Sequence, residues 1–172
     1  MAKTLILFYS RSGENHYDGG LRFLEVGNAK RICTMIAEET GGDLFEVETV
    51  TPYGESYQEC VRQSVAEWKG NARPAVKRIP EDVAGYENVV VAYPIWCGTM
   101  PMCLYTVLEA LELSGKRVYA VATHEGSGFA GSVGHLKGLC PGSEVLEGLS
   151  IKGCQVDASE ELIRNWAREN LK

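Results

Sequence analysis

Apolar runs and helical stripes alternate along this chain. Residues 4–9, TLILFY, are apolar without a break, as a strand covered on both faces requires. Residues 29–40 then place Ile32, Cys33, Met35 and Ile36 on one helical stripe, closed by Gly41 and Gly42. LFEVETV, 44–50, alternates like a strand with one more polar face. Over 55–69, Tyr57, Cys60, Val61, Val65 and Trp68 recur at helical spacing. NVVVAYP, 88–94, is a second fully apolar strand, stopped by Pro94. Residues 100–113 predict a helix through Leu104, Val107, Leu108 and Leu111, with Thr99 as its N-cap and Pro101 in its first turn. RVYAVAT, 117–123, is a third buried strand, and a weaker helix over 131–140 ends at Pro141-Gly142. EVLEGLSI, 144–151, reads as an edge strand. Asp157 or Ser159 caps a final helix carrying Leu162, Ile163, Trp166 and Leu171.

This β-α alternation predicts an α/β fold: a three-layer α/β/α sandwich on a five-stranded parallel sheet. Right-handed crossovers leave few topologies, and strand order 2-1-3-4-5 is the common solution. Ligands of such sheets bind beyond the carboxyl ends of the strands, near the switch point between strands 1 and 3. The informative loops are therefore those after strands 1, 3 and 4.

Composition narrows the partners. The 172 residues suit a single domain, 1–172, and carry a net charge of −6. That charge argues against nucleic acid and anionic membrane surfaces and suits a basic protein partner. LILFY is too short for a signal peptide and no run approaches a membrane span, so the cytoplasm is the expected compartment. Cys33, Cys60, Cys97, Cys103, Cys140 and Cys154 form no C-x-x-C pair, and His16, His124 and His135 add no metal-ligand spacing. Most of the cysteines are expected to be small buried hydrophobes, with Cys97 the exception.

The loop after strand 1 offers Ser10, Arg11, Ser12 and Gly13, hydroxyls and free N–H groups suited to an anion. It is neither a Walker loop nor G-x-G-x-x-G. Its helix does not follow at once: 14–27 intervenes. We read 14–27 as an insertion that turns at Asp18-Gly19-Gly20, returns through LRFLEV packed on the body, and delivers Gly27-Asn28 as the helix cap. The N–H groups of Asn28 and Ala29 then complete the cradle. The alternative is a helix from Asn15 broken by the two glycines. After strand 3, Pro94, Ile95, Trp96, Cys97, Gly98 and Thr99 present a tryptophan as a flat stacking surface, beside a glycine free to change its backbone angles. The alternative is a Trp folded over the core. After strand 4, His124, Glu125, Gly126, Ser127, Gly128 and Phe129 allow close backbone approach to a ligand. One ligand with a phosphate tail and a flat ring answers all three loops.

PIWCGTMP, THEGSG and LEVGNAKRI together resemble the flavodoxin-like FMN-binding family over nearly the whole chain. The resemblance implies non-covalent FMN. Ser10, Ser12 and Gly13 match its phosphate loop, 94–99 the ring-flanking loop with Trp96 stacking, and 124–129 the second ring loop. It also implies a peptide around Gly98 that flips so that its carbonyl accepts from reduced flavin N5. Three departures stand out: the inserted phosphate loop, Phe129 as the nearest second aromatic, and Cys97 where relatives often carry tryptophan. The activity implied is a low-potential electron carrier working with a reductase and an acceptor protein. The alternatives are an FMN-dependent NAD(P)H:quinone-type reductase and a non-redox FMN-binding module. No metal and no side-chain catalyst are expected, because a flavin carries its own redox chemistry.

Overall fold

A computed structural model describes residues 2–172. Strand β1 (Thr4–Phe8) is followed by two short strands, β2 (Gly13–Tyr17) and β3 (Gly20–Leu24). Then come α1 (Asn28–Thr40), β4 (Asp43–Glu46), α2 (Tyr57–Lys69), β5 (Asn88–Pro94) and α3 (Met102–Glu109). The chain ends with β6 (Arg117–His124), α4 (Ser132–Leu139), β7 (Glu144–Lys152) and α5 (Glu160–Asn170). The five long-range strands form a parallel sheet in the order β4-β1-β5-β6-β7. With the β2–β3 pair set aside this is the expected 2-1-3-4-5, and β7 is an edge.

Strand pleating sorts the core into two layers. Leu5, Leu7, Val89, Val91 and Tyr93 bury against Leu104, Val107 and Leu108 of α3 and Leu136 of α4. Ile6, Phe8, Val90 and Ala92 bury against Ile32 and Ile36 of α1 and Ile163 and Ala167 of α5. Each fully buried aliphatic or aromatic side chain here contributes about 1.5–3 kcal/mol. Helix α2 approaches both α3 and β2.

Four elements differ from expectation. β4 stops at Glu46 because the chain turns away to pair Thr49 with Val76, after a last bond from Val47 N–H to the Phe8 carbonyl. Helix α3 runs 102–109, and its N-cap is Pro101 rather than Thr99. Thr99 is held instead in a tight turn with Trp96. The last helix has Ser159 at its N-cap position, but the hydroxyl donates to the Gln155 carbonyl and gives no side-chain cap.

The largest difference is the insertion. Residues 13–24 form an antiparallel hairpin with Tyr17 opposite Gly20 and Gly13 opposite Leu24. Its two-residue turn is Asp18-Gly19, with φ of 48° and 82°, the primed geometry that matches strand twist. No helix starts at Asn15. The return segment does not lie flat on the body: Leu21 and Phe23 are 58% and 71% exposed, and only Leu24 is buried. The two-stranded ribbon thus leaves the side chains of Leu21 and Phe23 largely uncovered.

Candidate functional site

Gly27 explains how an interrupted loop still closes. A Cβ there would lie 2.2 Å from Ser10 Oγ and 2.5 Å from the Arg11 carbonyl oxygen. The start of α1 is thus pressed directly onto the end of β1, and the hairpin leaves and returns at one point. Ser10 Oγ accepts the N–H of Lys30 at 3.1 Å, serving one of the helix's unpaired donors across the gap. Its own O–H remains a donor.

Arg11 neither lies in solvent nor simply adds charge. It is 9% exposed. Its guanidinium donates to the carbonyls of Glu14 (2.9 Å), Gly54 (3.1 Å) and Glu55 (3.0 Å). This ties the hairpin to the segment entering α2. Glu14 adds a second tie, its carboxylate accepting the Tyr57 N–H at 2.8 Å. At the other end of β2, Asp18 N–H donates to Glu125 at 3.0 Å, and the Asp18 carboxylate sits 3.6 Å from Lys152 Nζ. Strand β2 therefore straps the carboxyl edge of the sheet, from the start of α2 to the loop after β6.

Under that strap lies a cavity of about 540 Å³. It gathers, of the residues expected from sequence, Arg11, Asn28, Pro94, Ile95, Trp96, Cys97, His124, Glu125 and Ser127. Ser10 and Ser12 line a neighbouring depression of about 340 Å³ together with Glu46, Glu48 and Lys77. Gly13, Ala29, Gly98, Thr99, Gly126, Gly128 and Phe129 are not part of the cavity wall. Phe129 packs on the core cluster instead. Sequence reasoning did not assign Asn15, His16, Tyr57, Cys60, Val61, Ser64, Val65, Thr123 or Gly153 to the site, though all line it. The α2 members were visible only as a helical stripe, which reads as core. His16 and Asn15 depended on recognising the Asp-Gly turn as a hairpin signal.

Trp96 packs on the core and also borders the cavity. Its ring lies edge-on to Tyr9 and Tyr53, with centroids 5.2 and 5.0 Å away, and it also forms cavity wall. The Trp96–Thr99 turn is closed by two backbone bonds of 2.8 and 3.0 Å. Its central residues Cys97 and Gly98 both have positive φ, 53° and 73°. Glycine takes this conformation freely, whereas a cysteine there stores about 1 kcal/mol or more. The Gly98 carbonyl accepts from Gly131 N–H at 2.9 Å. Thr99 Oγ1 lies 2.7 Å from Tyr105 Oη and 2.9 Å from His135 Nδ1, which pins the turn's far end.

Electrostatics keep the cavity's titratable groups quiet. Burial pushes the Cys97 thiol upward, opposed by a bond from Ser64, so the sulfur stays protonated rather than a reactive thiolate. Burial lowers His124, whose neutral Nδ1 accepts the Gly126 N–H at 2.9 Å. Burial raises Tyr57, leaving a phenol O–H. Four of the six cysteines, Cys33, Cys60, Cys103 and Cys140, are buried as expected, and all six are free. Among the described residues no group of three metal-ligating side chains exists, and no helix is long and apolar enough to cross a membrane.

The cavity sits at the switch point of a five-stranded doubly wound sheet, the arrangement of the flavodoxin-like proteins. A family model for flavodoxin matches residues 22–170, and the chain belongs to that family, whose cofactor is FMN. The match starts inside the hairpin and does not reach Ser10, Ser12 or Gly13. A protein of Bacteroides eggerthii assigned as a flavoprotein is 25% identical, covers 100% of this chain and 99% of its own, and superposes with a TM-score of 0.78. A flavoprotein of Lactobacillus acidophilus, solved in complex with FMN, is 22% identical over 92% of this chain and 98% of its own, with a TM-score of 0.69. A flavodoxin of Streptococcus pneumoniae is 17% identical over 98% of this chain and 97% of its own, at 0.53. No curated protein matches the chain.

The residues present fit FMN. Asn28 Oδ1, at the first turn of α1, is buried with no partner inside the protein, and Asn28 lines the cavity. A hydroxylated chain between a phosphate and a ring would supply the donor it lacks. Arg11 adds a positive charge to the same wall, and Asn28 brings the first residue of α1 to it.

Proposed function

We propose that this protein holds FMN at the carboxyl edge of its sheet and works as a low-potential electron carrier through the flavin. The observation that carries the reading is the cavity itself. It joins the α1 N-terminus, with Arg11 and the unpartnered Asn28, to the walls made by 94–97 and 123–127. Ser10, Arg11 and the first turn of α1 would hold the phosphate. Pro94 to Cys97 and His124 to Ser127 would border the ring. When bound, FMN supplies the redox chemistry; the chain orients it, limits water and sets the charge around it. Glu125 and the net charge of −6 favour a less negative ring, which lowers its potential, and favour basic partner proteins.

The absorbance spectrum after mixing with FMN and dialysis tests this. A retained flavin spectrum that dithionite bleaches, and that a flavodoxin reductase also bleaches, supports the carrier. A protein that retains no flavin overturns it. Flavin that dithionite cannot reduce points to the non-redox module.

The second reading, an NAD(P)H:quinone-type reductase, is favoured by one observation. Strand β2 straps the edge at which a partner protein would otherwise meet the ring. Sustained NAD(P)H consumption with a quinone and no other protein would decide for it.

A further inference from the structure

The residues expected to hold FMN make up only part of the cavity wall. Of the expected FMN contacts, those that line the cavity are Arg11, Asn28, Pro94 to Cys97, and His124, Glu125 and Ser127. A second part of the wall is made by His16 of β2 and Tyr57, Cys60, Val61, Ser64 and Val65 of α2. This second part is built rather than incidental. Its two elements are bonded to each other through Glu14 and the Tyr57 N–H, and through Arg11 and the carbonyls of Glu14, Gly54 and Glu55. The far end of the hairpin is fixed on Glu125 and Lys152.

The chemistry of this second part is aromatic and apolar with a few hydrogen-bonding groups. The rings of His16 and Tyr57 lie 5.9 Å apart, tilted by 42°, too open for a stacked pair. Tyr57 keeps its phenol proton, a donor for a carbonyl oxygen. Directly opposite strand residues share a face, so Leu21 stands beside His16 and Phe23 beside Glu14. The exposed apolar pair therefore continues from His16 outward along the hairpin.

We propose that the hairpin–α2 wall, centred on His16 and Tyr57, is a second subsite that binds a planar aromatic small molecule bearing a carbonyl oxygen. This rests on the FMN reading above and extends its reductase form. Quinones and nicotinamides share that chemistry. The insertion is then the part of the chain that selects what meets the flavin.

Binding to the oxidised FMN-loaded protein tests it without any turnover. FMN retention is measured first by dialysis. A naphthoquinone and NAD⁺ are then titrated separately by calorimetry into the parent protein, His16→Ala and Tyr57→Ala. Circular dichroism and melting confirm that each variant folds. The expected result is that one probe binds, that each variant weakens it by about tenfold, and that FMN affinity stays within about twofold. The probe that binds identifies the ligand source. Neither probe binding, or variants that weaken FMN and spare the probe, overturns the subsite and makes His16 and Tyr57 a cofactor wall. Failure to retain FMN in the first step overturns the parent reading, and the subsite with it.

Discussion

Gly27 is the residue on which the split loop depends. Its φ is an ordinary −64°, so conformational freedom is not the reason for glycine. The reason is room: a Cβ would stand 2.8 Å from the Arg11 carbonyl carbon as well as on its oxygen, and backbone cannot step aside as a side chain can. Gly27→Ala should cost about 1–3 kcal/mol by overpacking and pry α1 from the loop. Chemical denaturation should show the loss, and dialysis a still larger loss of FMN. His124 gives a pH dependence of defined sign. Burial holds its pKa below the usual value of about 6.5. The unfolded chain therefore takes up a proton there that the folded chain refuses. The contribution is complete above the unfolded value and is lost as pH falls through the folded one. Acid also breaks the bond from Gly126 N–H, since a protonated ring cannot accept it. Melting temperature should fall as pH drops below about 6.5, and His124→Gln should flatten that slope relative to the parent.

At the scale of elements, the hairpin is expected to shape the site and to leave cofactor binding to the sheet edge. Replacing residues 14–23 by Asn-Gly keeps the Gly13–Leu24 rung and the buried Leu24, and closes the ribbon in a favoured turn. The truncated protein loses the Glu14 acceptor for Tyr57 N–H and one of three carbonyls on Arg11. A stability loss of about 1–3 kcal/mol follows, with FMN still retained in dialysis. Loss of flavin from a folded truncation would contradict the split loop. The sequence makes the long-range strands legible because each is buried on both faces and therefore apolar throughout, NVVVAYP most plainly. It hides the ribbon because GENHY and GLRFL are half-exposed and carry no core signal; only Asp18-Gly19 betrays them. Thr99 misleads for a related reason. A hydroxyl before a helical stripe looks like a cap, yet here tertiary partners, Tyr105 and His135, claim it. Tyr57 and Cys60 show the limit most clearly, since a stripe facing a cavity is indistinguishable in sequence from a stripe facing a core.

For the molecule as a whole, charge separates the two readings of its function. A net −6 attracts a basic protein over a distance comparable with the Debye length, about 10 Å at 0.1 M salt. Salt at about 0.3 M shortens that length to roughly half, so encounter with such a partner should slow several-fold. A neutral quinone entering the cavity feels no comparable steering. The measurement is the reoxidation of dithionite-reduced protein, followed in a stopped-flow instrument at about 0.02 M and about 0.3 M salt. Cytochrome c serves as the basic protein acceptor and a naphthoquinone as the neutral one. A carrier should react fast with cytochrome c and lose rate as salt rises. A strapped site built for small molecules should react faster with the quinone, change by less than about twofold with salt, and speed up toward cytochrome c once the hairpin is truncated. That last reversal is the sharpest outcome, because the hairpin, bonded to Tyr57 at one end and Glu125 at the other, lines the cavity on that side.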